Sequence, residues 1–141
     1  MKFINKINLI LLLLSLVSSA PAEDEVKSLE GYIDFSGKFK MYSGYLQIQE
    51  NPLINVHYLF VTSQDNPEKD DVLMWYNGGP GCSSLIGFAQ EVGPNMMMSG
   101  SNKFASYLNK YSWNNHANLL FFESPPGVGF SINKDTSYVY N

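Results

Sequence analysis

The pattern of hydrophobic and polar residues is typical of β-strands in two neighbouring segments of the first half of the chain. Alternation over Tyr42–Ile48 predicts one strand, and Val56–Thr62, rich in β-branched and aromatic residues, predicts a second. Asn51-Pro52 lies between them and is typical of a turn. The two segments are therefore predicted to form a β-hairpin.

Further along the chain, the continuous apolar run Val72–Tyr76 is typical of a strand buried on both faces of a sheet. The segment Asn118–Glu123, with four apolar residues between its polar ends, predicts another buried strand. Each run stops at a loop rich in Gly and Pro, Asn77–Gly81 after the first and Ser124–Gly129 after the second. Ligands of α/β proteins bind where the strands end. The pattern predicts an α/β protein with both loops at its site, and two tight turns without a ligand are the alternative.

A short helix is predicted directly after the first of these loops. Ser83 or Ser84 is positioned to cap its N-terminus, and Gly93-Pro94 is positioned to end it. The segment Met96–Lys110 has only a weak pattern and is predicted to be irregular. The apolar face of the helix is predicted to contain Leu85, Ile86, Phe88 and Ala89.

The N-terminal segment has the order of a secretory signal peptide. Lys2 and Lys6 precede the apolar run Ile7–Val17, and Ala20-Pro21-Ala22 fits the small-residue cleavage pattern. The run is well short of the roughly 20 residues that span a bilayer. We expect residues 1–22 to be removed and the remainder to enter the secretory pathway without a membrane anchor. A buried N-terminal helix is the alternative.

The composition and charge of the chain exclude several classes of protein and of function. The 141 residues carry 9 basic residues, all of them Lys, against 13 acidic ones, for a net charge of −4. An acidic chain without Arg is a poor ligand for phosphates, so nucleic-acid binding is not expected. The aromatic content of 14% is too high for a disordered chain. One cysteine, Cys82, excludes a disulfide-stapled miniprotein and a Cys-based metal cluster, and no metal or cofactor is predicted.

The loop Asn77–Gly81 has a specific chemical use. Glycines let backbone N–H groups approach a ligand closely, and a helix N-terminus directly after them favours negative charge. This describes an oxyanion hole or a carboxylate-binding cradle. No Lys follows the glycines, so the loop is not a P-loop, and Gly127-Val128-Gly129 lacks the third Gly of a dinucleotide fingerprint.

Trp75–Ser84, with the sequence WYNGGPGCSS, resembles the signature of the serine carboxypeptidase family, a group of α/β-hydrolases. Further motifs of the family follow in order, namely Glu91–Pro94, Tyr111–Asn114 and Glu123–Ser131, and the resemblance covers Tyr42–Ser131. It implies an incomplete α/β-hydrolase fold, consisting of the N-terminal hairpin strands, the first buried strands and one helix. Residues 23–141 would be the N-terminal part of that domain.

The resemblance also implies an activity, the release of single amino acids from the C-termini of peptides or proteins, usually at acidic pH. By similarity, the side-chain amide of Asn77 and the N–H of Gly78 would bind the substrate's terminal carboxylate. The N–H of Gly79 would be one of two oxyanion-hole donors. An extracellular, lysosomal or vacuolar location is expected.

Glu91 would pair with the Glu that precedes the catalytic Ser in the family, and two close carboxyls share a proton. Without the resemblance, Glu91 would be a solvated helix residue. The family counterpart of Cys82 forms a disulfide with a Cys far downstream. A Cys nucleophile is the alternative, but it needs an activating His, and neither His57 nor His116 is well placed by sequence. Both are expected to be packed or solvated.

Two further motifs have predicted structural roles. Trp113 is predicted to be a buried aromatic residue, and Asn114 a hydrogen-bonded amide beside it. Gly127–Ser131 is predicted to form a supporting turn near the site. Glu123-Ser124 echoes the Glu-Ser pair of the family's catalytic segment, but Pro125 follows it, so we do not assign it to catalysis.

The chain contains no G-x-S-x-G elbow. By similarity, the catalytic Ser, acid and His would all lie beyond Asn141. We therefore expect an N-terminal fragment that is inactive alone and insoluble or partly unfolded, because its buried strands lack cover. An acyltransferase of the same family, or a short non-catalytic product that binds or chaperones a partner, are the alternatives.

Overall fold

The computed structural model describes residues 20–29, 38–99 and 104–137. Residues 1–19, which hold most of the predicted signal peptide, lie outside this part. No helix in the described ranges is long and apolar enough to cross a membrane. Short 3-10 turns lie at Ala22–Asp24 and Trp113–Asn115. The regular elements in chain order are β1 (Met41–Gln49), β2 (Ile54–Val61), β3 (Val72–Trp75), α1 (Leu85–Gln90), β4 (Asn95–Ser99), β5 (Phe104–Leu108), β6 (Asn118–Phe122) and β7 (Ile132–Asn133).

The main sheet has the strand order β1-β2-β6-β3, and β7 adds two residues beside β2. Strands β1 and β2 are antiparallel, with Met41 opposite Val61 and Gln47 opposite Asn55, so the predicted hairpin is confirmed. Strand β6 runs antiparallel to β2 and parallel to β3. The sheet is therefore mixed, and its parallel half follows the hairpin in sequence.

The parallel pairing of β3 with β6 determines where the two Gly/Pro loops lie. Val72 is opposite Asn118 and Trp75 is opposite Phe121, so the two strands end at the same edge of the sheet. Because each strand continues directly into its loop, both loops leave that edge side by side. The structure thus confirms the predicted proximity of the loops.

Helix α1 packs against one face of the sheet and closes the core. Phe88 of the helix contacts Phe121 of β6, with ring centroids 5.7 Å apart. Gly87 faces the indole of Trp75, and a Cβ at this position would lie 2.1 Å from Trp75 Nε1. The absence of a side chain at Gly87 thus lets the helix approach the end of β3. The buried core consists of Phe39, Met41, Leu59, Val61, Phe88, Val92, Ala117, Leu119 and Phe121.

Strand β3 is not buried on both faces, contrary to its apolar sequence. Val72, Leu73 and Met74 are 53%, 42% and 63% exposed. The strand lies at the edge of the described sheet, next to β6 alone, so its side chains have few neighbours. The strand itself was predicted correctly, and its burial was not.

The segment predicted to be irregular forms an antiparallel hairpin of β4 and β5, with Asn95 opposite Leu108. Met96, Met97 and Met98 give no alternation of polar and apolar residues, so no strand was predicted there. Asn95 is nevertheless buried, and its side-chain amide donates to Ser106 Oγ at 3.2 Å. Because the buried side chain is polar, this segment lacks the pattern of buried apolar residues on which the prediction of a strand depends.

Two side chains predicted to be buried are half exposed. Trp113 is 49% exposed, because one edge of its ring contacts Trp75 and the rest has no cover in the described part. Ile86 is 41% exposed, since α1 turns only its Gly87 and Phe88 face fully inward. Asn114 is hydrogen-bonded, as predicted: it is fully buried, and its amide donates to the Thr62 carbonyl at 3.1 Å.

Candidate active site

The first Gly/Pro loop is organised around the side chain of Asn77. Its Oδ1 accepts hydrogen bonds from Trp75 Nε1 at 2.8 Å and from the Gly87 N–H at 3.2 Å. Two donors directed at one oxygen fix the orientation of the amide. The opposite end, Nδ2, is therefore turned towards Glu91, whose Oε1 lies 3.5 Å away.

Glu91 follows the last residue of α1 and is exposed. The structure brings it next to Asn77 although 14 positions separate the two in sequence. A donor amide and a carboxyl group thus lie together at the surface. A bound carboxylate could accept from Asn77 Nδ2, and it would be repelled by Glu91 unless a proton is shared between them.

Gly78 and Gly79 give the loop its exposed backbone. A Cβ added at Gly78 would have no atom within 4 Å, so the space beside this residue is open. Gly79 has a φ of 139°, which favours glycine, and the Cys82 N–H closes the turn onto the Gly78 carbonyl at 3.3 Å. Among the described residues, neither the Gly78 nor the Gly79 N–H donates a backbone hydrogen bond. Both remain available to a ligand.

Ser83 caps α1, and Ser84 closes the loop onto Asn77. Ser83 Oγ accepts from the N–H of Leu85, the first residue of α1, at 3.2 Å and donates to Glu123 Oε1. Ser84 precedes the helix without a capping hydrogen bond, and its Oγ accepts from the Asn77 N–H at 3.2 Å. Of the two predicted candidates, Ser83 therefore caps an N–H of the first turn and Ser84 does not.

Glu123 is the residue that the sequence did not identify. It is 0% exposed, accepts from Ser83 with Oε1, and accepts from the Phe130 N–H with Oε2 at 2.6 Å. The second Gly/Pro loop curls around it, and a Cβ at Gly129 would lie 1.8 Å from Oε1. The one signal in the sequence was a carboxyl group directly after a buried apolar strand.

His57 lies behind this carboxylate and is packed, not solvated. Its Nδ1 is 3.2 Å from Glu123 Oε2, in ion-pair range but without the alignment of a hydrogen bond, and Nε2 is 2.8 Å from Ser43 Oγ. Burial lowers the pKa of the imidazole, and the charge of Glu123 opposes this shift. His57 is therefore favoured in its neutral form.

A cavity of about 320 Å³ adjoins the other side of His57. Its wall is mostly apolar, and it includes neither Asn77 nor either exposed glycine. It is therefore separate from the Asn77 site. The residues that line it include Met41, Ser43, Tyr45, Leu59, Leu85 and Phe130.

Cys82 is exposed, and no imidazole contact with it is found in the part that the structure describes. His57 instead faces Ser43 and Glu123, and His116 precedes β6. The geometry gives the thiol no activating base. The predicted disulfide to a distant Cys stays a prediction.

The chain is similar to known proteins over the region that contains both Gly/Pro loops. The sequence model of the family described as serine carboxypeptidase matches residues 31–141. A lysosomal protective protein of Mus musculus is 45% identical over 136 residues, covering 94% of this chain and 28% of the mouse protein. Serine carboxypeptidase ctsa-3.1 of Caenorhabditis elegans is 42% identical over 120 residues, covering 85% of this chain and 20% of the worm protein.

Among solved structures, the chain is similar to Kex1(delta)p, a prohormone-processing carboxypeptidase from Saccharomyces cerevisiae. The TM-score is 0.66 at 27% identity, over 85% of this chain and 27% of the yeast chain. The described residues are part of an α/β-hydrolase fold, as the resemblance implied. The chain spans under a third of the length of these relatives. With the family model matching residues 31–141, the chain belongs to the serine carboxypeptidase family.

Proposed function

We propose that the protein containing this chain is a serine carboxypeptidase that releases single amino acids from the C-termini of peptides. One observation carries the proposal: the Asn77 amide is held by two donors with Nδ2 outward, beside the open backbone of Gly78. An outward donor next to free N–H groups suits a terminal carboxylate. Membership of the family supports the same activity.

In the proposed reaction, Asn77 Nδ2 and the Gly78 N–H donate to the substrate's terminal carboxylate. The Gly79 N–H donates to the oxygen that becomes negatively charged when the scissile carbonyl is attacked. The chain spans 28% of the mouse relative. The proposal therefore assigns the nucleophilic Ser, its His and acid, and the second oxyanion donor to the remainder of the protein.

Glu91 makes the proposed site favour acidic conditions. An incoming carboxylate meets the Glu91 carboxyl group near Asn77, and the two repel each other unless a proton lies between them. No Arg is present in the chain to compensate for the negative charge. A lysosomal, vacuolar or extracellular location is proposed on this basis, and the name of the mouse relative supports it.

The test is made on the endogenous protein, isolated with an antibody to the polar loop Gln64–Asp71. Two matched substrates, an N-blocked dipeptide with a free C-terminus and the same dipeptide amidated, are incubated with it at about pH 5 and about pH 7.5. We expect release of the C-terminal amino acid from the free acid, faster at the lower pH, and little release from the amide. Equal cleavage of both substrates, or transfer of an acyl group without net hydrolysis, would contradict the proposal.

Asn77→Asp in the full-length protein tests the carboxylate site itself. The substitution keeps the size and both Oδ1 contacts, but it replaces the outward donor with a negative oxygen. We expect KM for the free-acid substrate to rise by about tenfold or more, since the loss of a charge-assisted hydrogen bond is worth about 1.5–3 kcal/mol. An unchanged KM would remove Asn77 from substrate binding.

A further inference from the structure

We propose that Glu123 is a positioning residue for the oxyanion loop, which it holds through the hydroxyl of Ser83. The oxyanion loop is the segment Asn77–Ser84. This inference rests on the proposed function and adds a residue to it from a different part of the chain.

The carboxylate of Glu123 joins the two Gly/Pro loops. Oε1 accepts from Ser83 Oγ, at the end of the oxyanion loop, and Oε2 accepts from the Phe130 N–H at 2.6 Å, in the second loop. Glu123 is 40 positions from Ser83 in sequence. Its side chain is therefore an anchor from outside the oxyanion loop.

The oxyanion loop is held at both ends and open between them. At its start, the Asn77 N–H donates to Ser84 Oγ at 3.2 Å, which closes the loop on itself. At its end, Ser83 Oγ donates to Glu123, the residue directly after β6. Gly79 lies between these points, has a φ of 139°, and has no side chain to fix its peptide. The Ser83 contact therefore links the end of the loop that carries the Gly79 N–H to the end of β6.

Glu123 is itself held firmly by its neighbours. Its N–H donates to the His57 carbonyl at 3.1 Å, and Ser131 Oγ accepts from the His57 N–H at 2.8 Å while donating to the Glu123 carbonyl at 2.6 Å. The loop passes within contact distance of the carboxylate only because Gly129 has no Cβ. A rigid support of this kind is what preorganised oxyanion stabilisation requires.

Stability of the fold does not by itself explain a fully buried carboxylate at this place. Removing a carboxylate from water is costly, and a buried polar network is often no more stable than well-packed apolar residues. The directional contacts of the carboxylate, in contrast, fix a loop that needs to be fixed for the reaction. This difference separates a positioning role from a purely structural one.

The test uses kinetics of the full-length protein with Ser83 replaced. Ser83→Thr keeps the hydroxyl, and Ser83→Val has the shape of the Thr side chain without the hydroxyl. We expect the Val variant to have a kcat about tenfold or more below that of the Thr variant, at a KM within about twofold, because the transition-state donor is misplaced while the carboxylate site stays intact. Equal kcat values for the Thr and Val variants would overturn the proposal.

Ser63→Ala is the matched control. It removes a buried hydroxyl beside the start of β6, where Ser63 Oγ donates to Asp70, outside the Glu123 network. We expect it to lower the melting temperature with kcat within about twofold of the wild type, whereas a loss of kcat as large as that of Ser83→Val would show that kcat follows stability alone and would overturn the proposal. The wild-type assay separates the two levels of inference: a wild type that does not hydrolyse the free-acid dipeptide overturns the proposed function and this inference with it.

Discussion

At the scale of single residues, His57 combines a buried imidazole with a nearby carboxylate. Burial lowers its pKa below the ordinary value of 6.5, and Glu123 offsets part of that effect. In the unfolded chain the imidazole takes up a proton as the pH falls through about 6.5, whereas in the fold it takes one up only at a lower pH. The unfolded state therefore binds more protons in between, and His57 reduces the stability of the fold as the medium becomes acidic.

This pKa shift predicts a difference between His57→Gln and the wild type. The free energy of unfolding of the full-length wild-type protein should fall as the pH is lowered from about 7.5 through 6.5, and it should fall less in the variant. Denaturant unfolding at a series of pH values measures both. His116→Gln, which removes an exposed histidine, should follow the wild type. A His57→Gln variant with an unchanged pH dependence would contradict the assigned cause.

The sequence identified the candidate site residues but not Glu123, which contacts their loop through Ser83. Asn77, Gly78, Gly79 and Glu91 stand in motifs that resemble a known family, so they could be singled out without a structure. The partners of Glu123 lie 7 and 40 positions away, and no periodicity connects them. Pro125 argued against Ser124 as a nucleophile. Nothing in the sequence indicated what the Glu123 carboxylate contacts.

At the scale of elements, the contact between α1 and the end of β3 holds the amide of Asn77. Gly87 lies against Trp75, whose Nε1 donates to Asn77 Oδ1 at 2.8 Å. The helix therefore covers the core and also contacts the indole of Trp75. This contact keeps Nε1 where it can donate to the side-chain amide of Asn77.

Gly87→Ala tests this contact. An Ala inside a helix is ordinarily more stable than Gly by about 1 kcal/mol. Here we expect a loss of about 1–3 kcal/mol instead, because the new Cβ would lie 2.1 Å from Trp75 Nε1 and the indole must move. Denaturant unfolding followed by tryptophan fluorescence measures the change.

Gly78→Ala serves as the matched control for stability, since its Cβ would meet no atom within 4 Å. It should change the free energy of unfolding by less than about 0.5 kcal/mol. If Gly87→Ala proved as stable as the wild type, the close packing of α1 on Trp75 would not contribute to the stability of the fold.

The elements that the sequence predicted correctly are those with a regular pattern. Alternation identified β1, β-branched and aromatic residues identified β2, and apolar segments identified β3 and β6. β4 and β5 were missed because the segment that contains them has only a weak pattern, with three consecutive Met residues in β4. The burial of β3 was predicted from its composition alone, and burial depends on neighbours that a single strand cannot specify.

At the scale of the whole molecule, the apolar edge of the sheet dominates the behaviour of the isolated chain. Val72, Leu73 and Met74 are exposed in a row on β3, and unpaired strand edges of this kind promote aggregation. We predict that residues 23–141 expressed alone are insoluble or melt without cooperativity. A soluble product with a sharp thermal transition would show that prediction to be wrong.

Met74→Glu provides the sharper form of this prediction. A charge on the exposed edge should increase the soluble fraction of residues 23–141 by at least about twofold, because charged edge residues oppose strand pairing between molecules. Tyr111→Glu adds the same charge at another exposed apolar residue, away from the sheet. It should leave the soluble fraction close to that of the parent.

The position of β6 between β2 and β3 has a consequence for synthesis on the ribosome. β6 pairs with both neighbours, yet it begins 57 positions after the end of β2, from Val61 to Asn118. As the chain emerges from the ribosome, the β1–β2 hairpin can form first, and its β2 edge has no partner until β6 leaves the exit tunnel. That interval lasts seconds at ordinary rates of about 5–20 residues per second. During this interval the nascent chain exposes an unpaired strand edge to which a chaperone could bind.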